Sequence, residues 1–412
     1  MDHPDFFLLA IVWMVLWGAV GGVWIRRAYF ARDLDVTAAR DVGVAIGAAT
    51  GPFGLVPLYL KTPKLTRGWR MLPWAGVALV FLAAFAVSDP DNACVSSGSF
   101  VASQIANGLI MGTIYGLMAL GLALIFSIIG VVSFSHGEFY MIGGMIVYYM
   151  TSVWLPEAGP IVAVIVACLA TFAIGAAFER MFLTPIYAGK VERPNEYAIL
   201  VTFGLAFFLQ YLVQALSGAN PVKAKPFFEL PHSEFPTGGA ILSTSRSNIT
   251  LFDTISISTP RLTAAILSVV MLMALIWFLY RTWIGKALRA TAQDRQAAAV
   301  AGINPGLMNM IAFGLGCMLA GLAGAVLVQA FSWLPQTGAI PALRAFVIIV
   351  LGGLGSLPGA FIGGIILGLV EAAGAGCVPD PTRAAAYLPA YGMIILTLVL
   401  LLKPQGLFGR KQ

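Results

Sequence analysis

The stretch GKALRATAQDRQAAAVAGINPGLMN, residues 285–309, separates two long apolar runs, Leu262–Tyr280 and Met310–Phe331. Alanine, arginine and glutamine favour helices, so this polar stretch predicts a small helix at a membrane surface. Its alanine and arginine residues lie at positions where a partner protein could bind. We therefore expect a membrane protein that docks to something soluble through this segment.

The composition of the chain is that of a membrane protein. Of its 412 residues, 59% are hydrophobic and only 10% are charged, whereas about a quarter of a soluble domain is charged. Several apolar runs reach the roughly 20 residues that a helix needs to cross a bilayer. The 45 glycines allow such helices to approach closely. The predicted fold class is an all-α polytopic membrane protein in the lipid bilayer.

The predicted topology has about nine crossings. They cover residues 6–25, 72–87, 101–130, 137–153, 160–178, 197–216, 262–280, 310–331 and 387–402. Lysine and arginine mark the cytoplasmic side of a membrane protein. Of the 24 such residues, 18 fall in four connections, which are 26–70, 180–193, 281–295 and 403–411. Placing these four inside puts the N-terminus outside and the C-terminus in the cytoplasm.

Two further apolar segments do not fit a simple crossing. Segment 43–60 has basic residues on both flanks and Gly51-Pro52 at its middle, so it predicts a dip into the membrane or an interfacial helix. Segment 343–373 must start and finish outside, and GGLGSLPG interrupts it at Gly352–Gly359. We predict a broken or re-entrant element there. Paired broken segments mark transport sites, although one break can also be a kink used for packing.

A second break interrupts the apolar stretch at GVVSFSHGEFYMIGG, residues 130–144. Aligning Gly130 with Gly352 suggests an internal repeat. His136 and Glu138 are ionisable groups near the membrane, where such groups are usually functional. The topology places them near the cytoplasmic end of a crossing, where water can solvate them. They could instead start a helix, with Ser133 or Ser135 as its cap and Glu138 in its first turn.

Other polar residues lie within apolar runs. Tyr115 and Thr202 belong either to a translocation path or to hydrogen bonds between helices. Arg344 and Glu371 lie near the outer ends of the broken element. Each could face a substrate carboxylate or ammonium, or could snorkel to the interface. The candidates for the path are Tyr115, His136, Gly137, Glu138, Gly352, Gly353 and Gly355.

Enzyme and cofactor motifs are absent from the chain. It has no HExxH, no GxSxG and no GxxxxGK[ST] sequence. Three histidines cannot build a histidine-rich metal site. We expect no enzyme, no catalytic residue, no metal and no cofactor in this chain, and any ATP-driven work needs a partner.

Four stretches, in the same order, resemble the permeases of branched-chain amino acid ABC importers. They are NGLIMGTIYGLMALGLALIFSIIGVVSFSHGEFYMIGG (Asn107–Gly144), GKALRATAQDRQAAAVAGIN (Gly285–Asn304), VLGGLGSLPGAFIGGIILGLVEA (Val350–Ala372) and KPQGLFGR (Lys403–Arg410). The second resembles the cytoplasmic coupling segment of that family. The resemblance covers about residues 101–410, and the ABC importer permease domain is expected over 96–412.

The resemblance implies a multi-pass subunit of a bacterial inner membrane, with a periplasmic N-terminus. Its expected partners are a second homologous permease, two cytoplasmic ATPases that carry ATP and Mg, and a periplasmic binding protein, with no nucleic acid. Carried onto this chain, the coupling helix covers Lys286–Ala301. Arg289, Asp294 and Arg295 would contact the ATPase, and Gly302 would stop the helix.

Residues 1–95 lie outside the resemblance and predict a membrane extension without an assigned role. Cys94 and Cys377 both fall outside in this topology, so a disulfide between them is a further hypothesis. The predicted function is ATP-driven import of branched-chain or other hydrophobic amino acids that a binding protein delivers. The alternatives are a stand-alone channel or secondary transporter for a small neutral solute, such as urea or a short amide, and an intramembrane enzyme that uses His136 and Glu138.

Overall fold

The computed structural model of the chain describes a defined set of residues. They are 17, 18, 21, 22, 25, 42–46, 48, 97–157, 159–187, 189, 191–227, 242–244, 248–251, 255–376, 384–402 and 405–409. The chain divides into two compact units, one of Met1–Gly98 with Gly374–Pro404 and one of Ser99–Ala373 with Gln405–Gln412. The proposed domain boundary between residues 95 and 96 stays a prediction.

Helices make up most of the described chain. In order they are α1 (Gly98–Ile129), α2 (His136–Tyr149), α3 (Pro160–Phe178), α4 (Thr184–Tyr187), α5 (Pro194–Ser217), α6 (Thr259–Arg281), α7 (Trp283–Gln293), α8 (Arg295–Val300), α9 (Pro305–Leu327), α10 (Ala339–Gly352), α11 (Leu357–Gly376) and α12 (Ala384–Leu402). Short π-helices, Met150–Trp154 and Glu179–Leu183, extend α2 and α3.

The sequence explains where several of these helices begin. Pro160, Pro194, Pro260 and Pro305 each occupy one of the first two positions of a long apolar helix. Proline suits these positions because its fixed φ is already helical and the first amides of a helix have no partner within it. Each proline therefore marks where the chain changes from a connection to a helix.

Within the second unit, α1 and α9 form the centre and α5 lies at the periphery. The most apolar windows of α1 and α9 are 72% and 83% buried, whereas that of α5 is 11% buried. Small residues permit the central packing: Gly143 of α2 lies against Gly321 of α9, and Gly175 of α3 lies against Cys317 of α9. Close approach of this kind is how membrane helices associate without a hydrophobic driving force.

The predicted membrane architecture is confirmed in part. Within the described residues, six helices are long and apolar enough to cross a membrane: Gly98–Ile129, Pro160–Ile186, Pro194–Ser217, Thr259–Arg281, Pro305–Leu327 and Leu357–Gly376. The first five match predicted crossings. The stretch 137–153 is not among them, and α12 contributes a shorter apolar helix, Tyr387–Thr397. The crossings at 6–25 and 72–87 and the dip at 43–60 lie wholly or largely outside the described residues.

The interrupted element is also present as predicted, with two unequal arms. α10 has 14 residues, α11 has 20, and residues 353–356 separate them. Only the second arm is long enough to be a candidate span.

The loop between α5 and α6 contains structure that the all-α prediction missed. Leu242–Thr244, Asn248–Leu251 and Ile255–Ser258 form an antiparallel sheet, β1, β2 and β3, in that spatial order. Thr250 pairs with Ser243 on one side and with Ser256 on the other. The alternation of isoleucine with polar residues in ISIS is typical of a strand, so the sequence carried a signal for it.

Candidate functional site

The first break turns the chain back into the helix bundle. Gly130 ends α1 with a φ of +79°, a conformation that favours glycine. Residues 130–135 are not helical, and α2 then begins at His136. The His136 Nε2 atom lies 2.9 Å from the Met118 carbonyl oxygen. Because Met118 lies about 16 Å along the helix axis from the end of α1, α2 starts deep within the bundle.

This depth corrects the expectation that water solvates His136 and Glu138. Their exposed fractions are 1% and 6%. The His136 Nδ1 and Glu138 Oε2 atoms are buried without a hydrogen-bond partner among the described residues. The predicted helix start is confirmed, with Glu138 in its first turn, but the serine cap lacks its hydrogen bond. Ser135 occupies the N-cap position without a side-chain cap bond, and its hydroxyl lies 3.1 Å from that of Ser133.

The amino ends of two short helices meet beside this histidine. α2 and α10 each have 14 residues, and Gly137 near the start of α2 lies against Gly338, the N-cap residue of α10. A Cβ atom on either glycine would overlap the backbone of the other. The contact therefore needs glycine at both positions, and it brings the positive ends of two helix dipoles together.

An ion pair with a buried glutamate and a partly exposed arginine joins α10 to α11. The Arg344 Nε atom donates to Glu371 Oε1 at 2.8 Å, and the Tyr115 hydroxyl donates to Glu371 Oε2 at 3.1 Å. The Arg344 guanidinium also lies 5.0 Å from the centre of the Tyr115 ring. Arginine and glutamate therefore pair with each other, which neither predicted alternative included, and contact with substrate or with the interface stays a prediction. Tyr115 stays a candidate for the path, although its hydroxyl is engaged.

The second break, between α10 and α11, is held by the carboxyl end of the chain. Gly353 has a φ of +104° and Gly355 a φ of +82°. The Leu407 amide donates to the Leu351 carbonyl at 2.9 Å, and the Phe408 amide donates to the Gly352 carbonyl at 3.0 Å. Apart from the family resemblance, KPQGLFGR carried no indication of a mechanism. The structure shows that part of it, residues 405–409, forms a strap over the break.

The break and the polar segment lie at the same end of the bundle. A Cβ atom on Gly355 would lie 3.9 Å from Ser127, near the end of α1. The Arg295 guanidinium donates to the carbonyl of Ile128, one residue further on, at 3.1 Å. The carboxyl end of α1 thus joins the two features that the sequence singled out.

The polar segment contains two helices where the sequence predicted one over 286–301. α7 ends at Gln293, and Asp294 adopts an extended backbone conformation. The Asp294 carboxylate then accepts hydrogen bonds from the amides of Gln296 and Ala297 and caps α8. The predicted stop is present: Gly302 has a φ of +85°, and its amide donates to the Ala299 carbonyl.

The arginines of this segment make contacts within the chain. Arg289 Nε donates to the Leu279 carbonyl at 3.1 Å, and its guanidinium lies 4.3 Å from the centre of the Tyr280 ring. Arg295 donates to Asn309 Oδ1 at 3.2 Å in addition to Ile128. Both arginines therefore anchor the segment to the helix bundle. Whether they also contact an ATPase stays a prediction, as it does for Asp294 and for the exposed Lys286.

The most exposed apolar side chain of the segment was missed by sequence reasoning. Val300, the last residue of α8, is 91% exposed. Ala297, Ala299 and Ala301 around it are exposed as well.

The predicted path residues lie in three places. His136, Gly137 and Glu138 lie at the amino end of α2, and Tyr115 lies in the ion-pair cluster. Gly352, Gly353 and Gly355 lie in the strapped break. Among the described residues, no group of three histidine, cysteine, aspartate or glutamate side chains is placed to hold a metal ion. Cys94 and Cys377 lie outside the described residues, while Cys168 and Cys317 are free.

Comparison with known proteins finds permeases of branched-chain amino acid transport systems. The family described as branched-chain amino acid transport system, permease component, matches residues 104–403. The high-affinity branched-chain amino acid transport system permease protein LivH of Salmonella typhimurium is 32% identical over 320 residues. LivH of Escherichia coli strain K12 and BraD of Pseudomonas aeruginosa are each 31% identical, over 323 and 316 residues. Each alignment covers 75% of this chain and 96% of the relative. No solved structure gives a significant match.

Proposed function

The chain belongs to the permease family of branched-chain amino acid transport systems, and we propose that a cytoplasmic ATPase drives it through residues 283–304. As the permease component of a branched-chain amino acid ABC importer it is not itself an enzyme. The observation that carries the proposal is that one part of this segment is anchored to the helix bundle while its tip is exposed. Its arginines are tied into the bundle, and its apolar tip at Val300 is free of the chain.

The base of the segment is suited to transmit movement. Arg295 bonds to the carboxyl end of α1 through Ile128 and to the start of α9 through Asn309. α1 and α9 are the two most buried of the six candidate spans. A displacement of α8 therefore acts on the centre of the bundle, because charge-assisted hydrogen bonds hold that connection.

The tip of the segment is suited to bind a groove. Ala297, Ala299 and Ala301 have short side chains, so a partner can approach the backbone around Val300 closely. The valine supplies the apolar contact. Isolated exposed apolar residues are common on proteins. Val300, however, is the last residue of a helix that is capped by Asp294, anchored by Arg295 and stopped by Gly302. The segment also carries four basic residues, Arg281, Lys286, Arg289 and Arg295, which indicate the cytoplasmic side.

The same orientation supports the rest of the assembly. The partners are two cytoplasmic ABC ATPases that bind ATP and Mg, a second homologous permease, and a periplasmic protein that delivers a branched-chain or other hydrophobic amino acid. The chain lies in the bacterial inner membrane with a periplasmic N-terminus and a cytoplasmic C-terminus. A stand-alone channel for urea or a short amide has no use for a segment with an exposed, anchored tip.

Two matched substitutions test this proposal. Val300→Asp places a charge on the tip, and Gln336→Asp places the same charge at an exposed position in the connection before α10, at the other end of α9. Each variant is purified from native membranes in mild detergent, and the proteins that come with it are identified by mass spectrometry. We expect Val300→Asp to lose the ATPase and Gln336→Asp to retain it. Retention of the ATPase by both variants would contradict docking through the tip.

A further inference from the structure

Five aromatic rings form a continuous row on one face of the second unit. Phe346 of α10 lies 5.9 Å from Phe134, which lies 6.1 Å from Phe203, measured between ring centres. Phe207 follows at 4.9 Å and Tyr211 at 6.4 Å. We call these five residues the aromatic ladder. Phe203, Phe207 and Tyr211 share one face of α5 because they are spaced four residues apart.

The second ring of the ladder lies on backbone that is not helical. Phe134 lies in the segment 130–135 that turns back into the bundle, two residues before the deeply placed His136. The Phe134 amide donates to the Thr202 hydroxyl at 3.4 Å, which fixes the segment against α5. From there the row follows α5 for eight residues, about 12 Å, away from the end that carries Arg193.

Lipid is an unsuitable neighbour for the ladder at Phe134. Irregular backbone at membrane depth survives only where protein covers it or where it lines a water-filled cavity, because lipid cannot satisfy its polar groups. Phe134 nevertheless remains 39% exposed. Because lipid does not suit this segment, we expect the surface at Phe134 to face a hydrated passage or another protein. Phe203, Phe207 and Tyr211, which continue from it along α5, are exposed as well.

We propose that the aromatic ladder lines the translocation path and that the apolar side chain of the transported amino acid moves along its rings. This inference rests on the proposed function. Ring faces attract an aliphatic side chain without fixing it in one orientation, and five successive rings offer a series of similar weak contacts. Transport needs such contacts, since conduction requires binding that is weak or spread over several sites.

The ladder has a matched control on the same helix. Phe208 is 62% exposed, but it lies about 100° around α5 from Phe207. It has no place in the row of ring contacts described above. If α5 borders the path on the ladder side and lipid on the other, then Phe207 and Phe208 differ in solvent access although they are adjacent in sequence.

The first experiment measures that access in the complete importer. Phe207→Cys and Phe208→Cys are made in a chain in which Cys94, Cys168, Cys317 and Cys377 are replaced, and ATP-driven leucine uptake by this background in liposomes is confirmed first. A membrane-impermeant methanethiosulfonate then labels each cysteine. We expect Phe207→Cys to react at least about tenfold faster, because a thiol in apolar surroundings does not ionise readily. Equal labelling would place the ladder against lipid. Protection of Phe207→Cys in every state, with cross-linking to the second permease, would make it a fixed interface. Either result overturns the inference.

The second experiment tests the contact with substrate. In Phe203→Ala/Phe207→Ala we expect the ratio of leucine to alanine uptake to fall about fivefold, as loss of aromatic contacts with the larger side chain implies. In Phe208→Ala the ratio should not change. An unchanged ratio in the ladder variant would contradict the inference. If the unmodified complex itself fails to import leucine, the proposed function fails instead, so the two failures are distinguishable.

Discussion

The two breaks in the membrane helices have similar sequences but different surroundings. Both are rich in glycine and serine, and both contain a glycine with positive φ, Gly130 in the first and Gly353 in the second. The second break is closed by two hydrogen bonds from the carboxyl-terminal strap. The first carries an exposed Phe134 and leads to buried polar atoms that have no partner in the part of the chain that the structure describes. A glycine-rich pattern thus predicts where a helix stops, whereas the surrounding elements decide whether the break is locked.

The largest effect is expected at the ion pair that joins the two arms of the second break. Arg344→Leu leaves the Glu371 carboxylate buried and without its charged partner, so the free energy of unfolding should fall by about 4 kcal/mol. Unfolding of the purified protein in detergent measures this. The double variant Arg344→Leu/Glu371→Gln removes both charges and should recover most of the loss. A double variant as unstable as the single one would show that the pair is not what holds the arms together.

The glycines with positive φ allow the two breaks to be compared directly. Gly353→Ala strains the backbone and pushes a Cβ atom into Gly409 of the strap, so we expect a loss of about 3 kcal/mol. In Gly130→Ala the new Cβ atom contacts none of the described residues. The free energy of unfolding should therefore fall only by the cost of the positive φ, about 1 kcal/mol. Thermal unfolding of both variants checks the difference. Equal losses would mean that the strap does not lock the second break.

The contact between α2 and α10 tests how rigidly the end of the first break is held. Gly137→Ala should reduce the free energy of unfolding by about 2 kcal/mol, because the new methyl group overlaps the Gly338 backbone. Gly204→Ala on α5 is the control, since its Cβ atom meets no atom of the described residues within 4 Å. If Gly137→Ala is as stable as the control, the two helices can separate freely and their contact does not contribute to the stability of the protein.

The smallest effect on stability is expected in the polar segment. Asp294→Ala removes the cap of α8 and should cost about 1 kcal/mol locally. Adding Arg289→Ala also releases the anchor at Leu279. We expect the global unfolding temperature to change little while more ATP is hydrolysed for each leucine imported. Normal uptake with an unchanged ratio of ATP to leucine in the double variant would contradict the role of this segment in coupling.

The parts of the fold that depend on local sequence could be predicted. Gly302 stops a helix and Gly352 ends the first arm of a broken element, as expected, because both follow from glycine within an otherwise helical pattern. The capping by Asp294 was also accessible, since aspartate before a helix-forming run favours the N-cap. The prediction of one helix over 286–301 overlooked that signal.

The remaining features depend on contacts between distant residues. Arg344 and Glu371 are 27 positions apart and pair only because the break folds α10 beside α11. His136 was expected near the cytoplasm because the sequence gives its order along the chain and not the return of residues 130–135 into the bundle. The aromatic ladder likewise joins residues from three elements, so no periodicity along one segment announces it.

The central claim is that this permease works only as part of an ATP-driven complex. The most direct measurement is leucine uptake by liposomes that contain the complex purified from native membranes through this chain. We predict leucine uptake against a gradient. This uptake should require both ATP inside the liposomes and the leucine-loaded binding protein outside them. Leucine or urea flux through the chain alone, without ATP and unchanged in Val300→Asp, would contradict the account.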